Sequence, residues 1–150
     1  MPPYRIQLRG PWEYVLIARA EGDDGVQFAW DRPASPAAGQ VKMPAEWRSF
    51  LGDFRGRVRF DRNFHQPTNL DPGERVFIVF GGVGGSGDVL LNGQVIGAVQ
   101  TTEAPQRFDI TSLLRGDNLL QVQLDFSGVA AMDCPGGLYA PVALEIETVA

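Results

Sequence analysis

A chain of 150 residues has the length of one ordinary domain, 1–150, and can bury a core without disulfide or metal staples. Its 44% hydrophobic and 21% charged residues fit a globular protein, and a net charge of −5 argues against an electrostatic nucleic-acid binder, which normally carries a basic stripe. A single cysteine, Cys134, excludes an internal disulfide and a thiolate zinc site. No apolar run approaches the roughly 20 residues that cross a bilayer, and Met1-Pro-Pro-Tyr4 lacks the parts of a signal peptide, so the expected location is cytoplasmic, for a free chain or an excised domain, with no membrane partner.

In chain order, Trp12 to Ala20 is apolar and aromatic, Glu21-Gly-Asp-Asp-Gly25 is a turn, and Val26, Phe28 and Trp30 alternate with Gln27 and Ala29, which predicts a first hairpin. Asp31 to Gln40, rich in Pro, Ala and Gly, reads as a surface loop. Ala45 to Leu51 predicts a single helical turn carrying Trp47. From Gly56 to Phe64, Val58, Phe60 and Phe64 share one face; Arg57, Arg59, Asp61 and Asn63 take the other, and Arg62 interrupts the apolar side. Asp71-Pro-Gly73 is a turn, and Val76 to Phe80 is continuously apolar, as in a strand covered on both sides. Gly81 to Gly87 is glycine-rich but lacks Gly-Lys-Ser/Thr and leads into a strand, so it reads as a connection and not as a phosphate loop.

Asn92-Gly93 lies between the apolar runs Val89–Leu91 and Val95–Val99, the signature of a two-residue type I′ hairpin. Asp109-Ile110-Thr111 is suited to cap a short helical turn through Leu114, which Gly116 ends. Leu120, Val122, Leu124 and Phe126 alternate with polar residues, as do Val142, Leu144 and Ile146. Nine or ten strands, almost no helix and no repeat predict an all-β protein, an antiparallel β-sandwich.

Few residues invite chemistry. His65 is the only histidine and has no second ligand or serine motif beside it, so it reads as a strand-end surface residue. Cys134 has no neighbouring base and reads as a half-buried thiol. Arg55, Arg57 and Arg59 would share a face suited to sulfate, uronate or a protein partner, but Asp53 and Asp61 make it a mixed solvent face.

The ordered motifs Val89-x-x-Asn92-Gly93-x-x-x-Gly97 and Phe108-Asp-Ile-Thr111-x-x-Leu114-x-Gly116-x-Asn118 resemble the N-terminal sugar-binding domain of glycoside hydrolase family 2, the β-galactosidase and β-glucuronidase group. Trp12-Glu-Tyr14, Pro44-x-x-Trp47, Gly56 to Phe64, and Gly136-Gly-Leu-Tyr139 with Val142-Ala-Leu144 extend the resemblance over nearly the whole chain. It implies a galactose-binding-like jelly roll. It also implies that the catalytic carboxylates belong to a separate barrel domain, which needs roughly 250 residues, so the chain alone is expected to be a non-catalytic carbohydrate-binding domain. The implied partners are a mono- or oligosaccharide, a glycosidase catalytic domain, or a second copy of the chain. No cofactor is implied. Calcium, a common structural ion in such folds, has Asp23, Asp24 and Glu145 as candidate ligands, but no Asp-x-Asp-x-Asp-Gly loop.

By the same resemblance, the sugar-contacting residues would be Trp47 and Arg48 in the loop after Pro44 and Asp133 before the closing Gly-Gly; Gln100, Thr102 and Glu103, from the loop after the hairpin, are candidates to join them. An aromatic ring suits the apolar face of a pyranose and planar polar side chains suit its hydroxyls. Trp47 has an equally good second reading, as a core lid packed under its own loop. Three function classes follow: a carbohydrate-binding domain, an accessory domain of a glycosidase, and a protein-interaction or self-assembly domain.

Overall fold

The structure is a computed structural model that describes residues 4–21, 27–29, 38–51, 56–67, 70–126 and 136–148. It is an antiparallel β-sandwich, as expected. One sheet has four strands in the order β1 (Tyr4–Gln7), β11 (Val142–Thr148), β6 (Glu74–Phe80), β9 (Gln106–Asp109). The other runs β3 (Gln27–Ala29), β2 (Trp12–Glu21), β5 (Gly56–His65), β10 (Asp117–Phe126), β7 (Ser86–Leu91), β8 (Gln94–Val99), and β4 (Ala38–Val41) also pairs with β2.

The alternation seen in the sequence builds the core. Val76, Ile78 and Phe80 of β6 and Val142, Leu144 and Ile146 of β11 face Val58, Phe60 and Phe64 of β5 and Leu120, Val122 and Leu124 of β10, all buried. Burial of such apolar area, at roughly 25 cal/mol per Å2, is the main driving force for the two layers. Trp12 is fully buried with its indole N–H satisfied, donating to the Leu8 carbonyl at 2.8 Å.

Local signals placed several elements correctly. Asn92 has φ 53° and Gly93 φ 84°, the positive angles that a type I′ turn demands, and they join β7 to β8. The single helical turn is α1 (Trp47–Leu51). The turn after β9 is a 3-10 segment, Thr111–Leu113. The expected stretch caps it: Ile110 occupies the cap position without a side-chain bond of its own, and Asp109 Oδ1 accepts from the Thr111 N–H at 3.0 Å and the Thr111 hydroxyl at 2.6 Å.

The described residues contain eleven strands, more than the nine or ten expected. One correction falls on the segment read as a loop to Gln40. Residues 38–41 form β4, with Tyr14 opposite Gly39 and Trp12 opposite Val41. Glycine permits this pairing, because a Cβ at Gly39 would lie 2.5 Å from the Tyr14 hydroxyl oxygen. Residues 31–37 of that predicted loop lie outside the described residues.

Candidate functional site

The starts of β5, β7, β9 and β11 and the ends of β6, β8 and β10 lie at one end of the sandwich, so the connections there converge. Backbone bonds lace them together. Val83 and Thr102 exchange a pair of 3.0 Å bonds, and Gly84 and Gly137 exchange a pair at 2.9 and 2.8 Å. The Trp47 N–H donates to the Gly136 carbonyl at 2.7 Å, and the Ala45 N–H to Leu138 at 3.0 Å. Four segments far apart in sequence, around residues 45–47, 81–85, 100–104 and 136–139, thus form one continuous loop platform. The Gly81–Gly87 stretch is the bridge between its halves, in line with its reading as a connection.

Trp47 takes the second of its two readings. It is 1% exposed, with its ring 5.1 Å from that of Phe126 and 6.4 Å from that of Phe60. The expectation that it stacks on a sugar is corrected by this burial, which leaves no ring face for a pyranose. Phe50 of α1 packs between Phe60 and Tyr14, at 6.1 and 5.2 Å, so α1 serves the core with two aromatic rings. Gly136 makes this closeness achievable: a Cβ there would meet the Phe126 ring at 2.6 Å and the Trp47 Cβ at 2.7 Å.

The other expected contacts divide. Thr102 is on the platform, but its groups are engaged: the hydroxyl accepts from the Ala104 N–H at 3.0 Å, and the carbonyl accepts from Val83 and, at 3.4 Å, from the Tyr139 hydroxyl. Gln100 is exposed at the rim, with its backbone held by the Gln106 amide through two 3.0 Å bonds. Glu103 is exposed on the same loop. Arg48 follows Trp47 in α1, but its side chain lies outside the described residues, as does Asp133. Two platform residues were not expected. Thr101 bonds both polar atoms of Gly85 through its hydroxyl, and Tyr139 lies against Gly82. The Gly-Gly-Leu-Tyr motif pointed to Tyr139, whereas nothing local marked Thr101.

Away from the platform, the basic face is the mixed solvent face foreseen. Arg57 donates through Nε and Nη2 to the two Asp125 oxygens, and this bond holds its guanidinium above its usual pKa against the opposing effect of burial. Arg59 forks onto Asp61 at 3.1 and 3.3 Å. Arg55, Asp53 and Cys134 lie outside the described residues. His65 ends β5 with its side chain 89% exposed, 2.6 Å from Asp117. Of the calcium candidates, Asp23 and Asp24 lie outside the described residues, and Glu145 is engaged by Arg5 and Arg107 at 3.7 and 3.6 Å. Among the described residues, no three His, Cys, Asp or Glu side chains group as metal ligands, and no helix is long and apolar enough to cross a membrane.

Solved structures share this architecture. An FMN-binding β-glucuronidase from Faecalibacterium prausnitzii aligns over 97% of the chain with a TM-score of 0.71 and 24% identity. The β-glucuronidase of Bifidobacterium dentium, solved with coumarin-3-O-glucuronide, aligns over 98% with a TM-score of 0.69 and 23% identity. That of Ruminococcus gnavus aligns over 96% at 0.71 and 18%. At these identities the likeness shows the fold. The chain spans only 23%, 30% and 28% of those proteins, respectively. No curated protein matches it. The family model described as glycosyl hydrolase 2 galactose-binding domain-like matches residues 55–133, more than half of the chain, and takes in β5 to β10, including the Asn92-Gly93 hairpin. With that match on a galactose-binding-like jelly-roll sandwich, the chain belongs to the galactose-binding-like domain family of glycosyl hydrolase 2.

Proposed function

We propose that the chain is a single-domain, non-catalytic accessory β-sandwich of the glycoside hydrolase 2 type whose loop platform contacts carbohydrate. The observation that carries this reading is the lacing of four distant segments into one rigid surface, rimmed by the exposed side chains of Gln100 and Glu103. A preordered polar surface suits sugar hydroxyls, since ordering flexible loops on binding would cost affinity. Trp47 supports this surface from below, and Arg48 and Asp133 are further contacts in the same reading. Hydrolysis would need a pair of carboxyl groups about 5 to 10 Å apart on a scaffold that holds a sugar between them. Such a barrel alone exceeds the length of this chain.

A second reading, an accessory domain that docks a catalytic domain without binding sugar itself, is favoured by the burial of Trp47. Titrating the chain with galactosides and glucuronides at millimolar concentration, while following its melting temperature, separates the two. A sugar-specific rise is expected, reduced in Gln100→Ala and Glu103→Ala variants that melt normally without ligand. An unchanged melting temperature with every sugar would leave the docking reading.

A further inference from the structure

The chain holds the asparagines Asn63, Asn69, Asn92 and Asn118, and of these Asn92 alone precedes a glycine. That order is chemically the least protected, because asparagine is a labile amide and a glycine nitrogen, with no side chain beside it, can approach the asparagine Cγ closely. Here the attacking group is open to water. Gly93 is exposed at the tip of the β7–β8 hairpin, at the end of the sandwich away from the loop platform, and a Cβ there would meet nothing within 4 Å.

The group it would attack is latched. Asn92 Oδ1 accepts from the Leu119 N–H at 2.9 Å, and Nδ2 donates to Asn118 Oδ1 at 3.1 Å and faces the Leu113 carbonyl at 3.5 Å. Asn118 is not free to reverse its amide. Its Oδ1 accepts from the Arg115 N–H and its Nδ2 donates to the Arg115 carbonyl, both at 2.8 Å, so fixed backbone polarity decides which end meets Asn92. Closing a ring between the Gly93 nitrogen and Asn92 Cγ requires the Asn92 side chain to swing off these partners, which leaves Asn118, 2% exposed, short of a donor.

We propose that Asn92 is a site of spontaneous deamidation gated by this latch, and that the product cannot latch again. The Gly93 nitrogen, its proton taken by hydroxide, attacks Asn92 Cγ; the N–Cγ bond forms, the Cγ–Nδ2 bond breaks, and Nδ2 leaves as ammonia with a proton from water. Water then adds to one carbonyl of the cyclic imide and breaks its bond to nitrogen, which gives aspartate or isoaspartate at this position with no change of oxidation state. Either product puts a carboxylate oxygen where the Nδ2 donor had met Asn118 Oδ1, so a hydrogen bond becomes a repulsion. Isoaspartate also adds a methylene to the main chain of a turn whose register depends on its length.

The test follows the intact chain at mildly alkaline pH by peptide mapping and mass spectrometry. The tryptic peptide 76–107 carries Asn92 as its sole asparagine, so conversion of amide to acid is read there directly. Conversion in the folded chain should be roughly 100-fold or more slower than in guanidinium, by about the factor that protects the Leu119 amide from hydrogen exchange, since both events need the hairpin open. Asn118→Ala should speed conversion in the folded chain roughly tenfold or more. Asn92→Asp, which makes one product directly, should melt below the wild type and exchange faster at the Leu119 amide. Equal rates in the folded and unfolded chain would overturn the proposal, as would a folded Asn118→Ala variant that converts as slowly as the wild type, or an Asn92→Asp variant as stable and as protected as the wild type. If Asn118→Ala does not fold, the agreement or disagreement between conversion and Leu119 exchange in the wild-type chain decides the matter.

Discussion

Trp47 closes the loop end from within, so replacing it tests folding before it tests binding. Trp47→Ala is expected to cost about 3–5 kcal/mol, as for other large aromatic truncations in cores, measurable by urea unfolding. Gly136→Ala should destabilise by overpacking, because the new methyl would press on Phe126 and Trp47. Since both changes act on one contact, the double variant should be more stable than the sum of the single losses predicts. A second residue-scale prediction concerns acid. The Thr111 hydroxyl, then its backbone N–H, hold the Asp109 carboxyl below its usual pKa against the opposing effect of burial, and Arg75 adds to the lowering. The folded value is depressed, so the stabilisation is present above the ordinary carboxylate range and is lost as pH falls through the folded value. Thr111→Val should move the Asp109 titration, followed by carboxyl NMR, back towards the ordinary value.

At the scale of elements, the β7–β8 hairpin is tied to β10 by the side chain of Asn92. Its Oδ1 accepts from the Leu119 N–H at 2.9 Å and its Nδ2 donates to Asn118 Oδ1 at 3.1 Å. Asn118 is 2% exposed and also holds the backbone of Arg115, so the two amides clamp the turn before β10. Asn92→Gly keeps the backbone angles but removes the clamp. It is expected to cost about 1–3 kcal/mol, the penalty for leaving buried polar groups unpaired, and to speed hydrogen exchange at the Leu119 amide. This hairpin was legible because its turn chemistry is written in two adjacent residues. β4 was not, because Ala38-Gly39-Gln40-Val41 has no strand pattern of its own and is extended by its pairing with β2. Trp47 was ambiguous for a related reason. A single aromatic in a short loop has no periodicity to reveal which way it faces, and Phe60 and Phe126, which enclose it, lie 13 and 79 positions further along the chain.

At the scale of the molecule, the sandwich was legible from alternation and turn spacing, but the loop platform was not, since it is made by backbone bonds between segments whose meeting only the topology decides. The four-stranded sheet has its own weak point. β1 covers one edge of β11, from Tyr4 opposite Ile146 to Gln7 opposite Ala143. A chain lacking residues 1–7 would expose the backbone groups of β11 as a sheet edge, an invitation to pair with another molecule. Sedimentation velocity should show larger species for the truncated chain than for the intact one at equal concentration.

β11 also lies between β1 and β6, although it follows both by more than sixty residues. On the ribosome, β1 emerges well before its partner among the described strands, since residues 142–148 follow on the order of ten seconds later at ordinary rates of synthesis. β1 and β11 are therefore secured in a single late event, and a nascent chain stalled before residue 142 should hold its larger sheet without being able to close the smaller one.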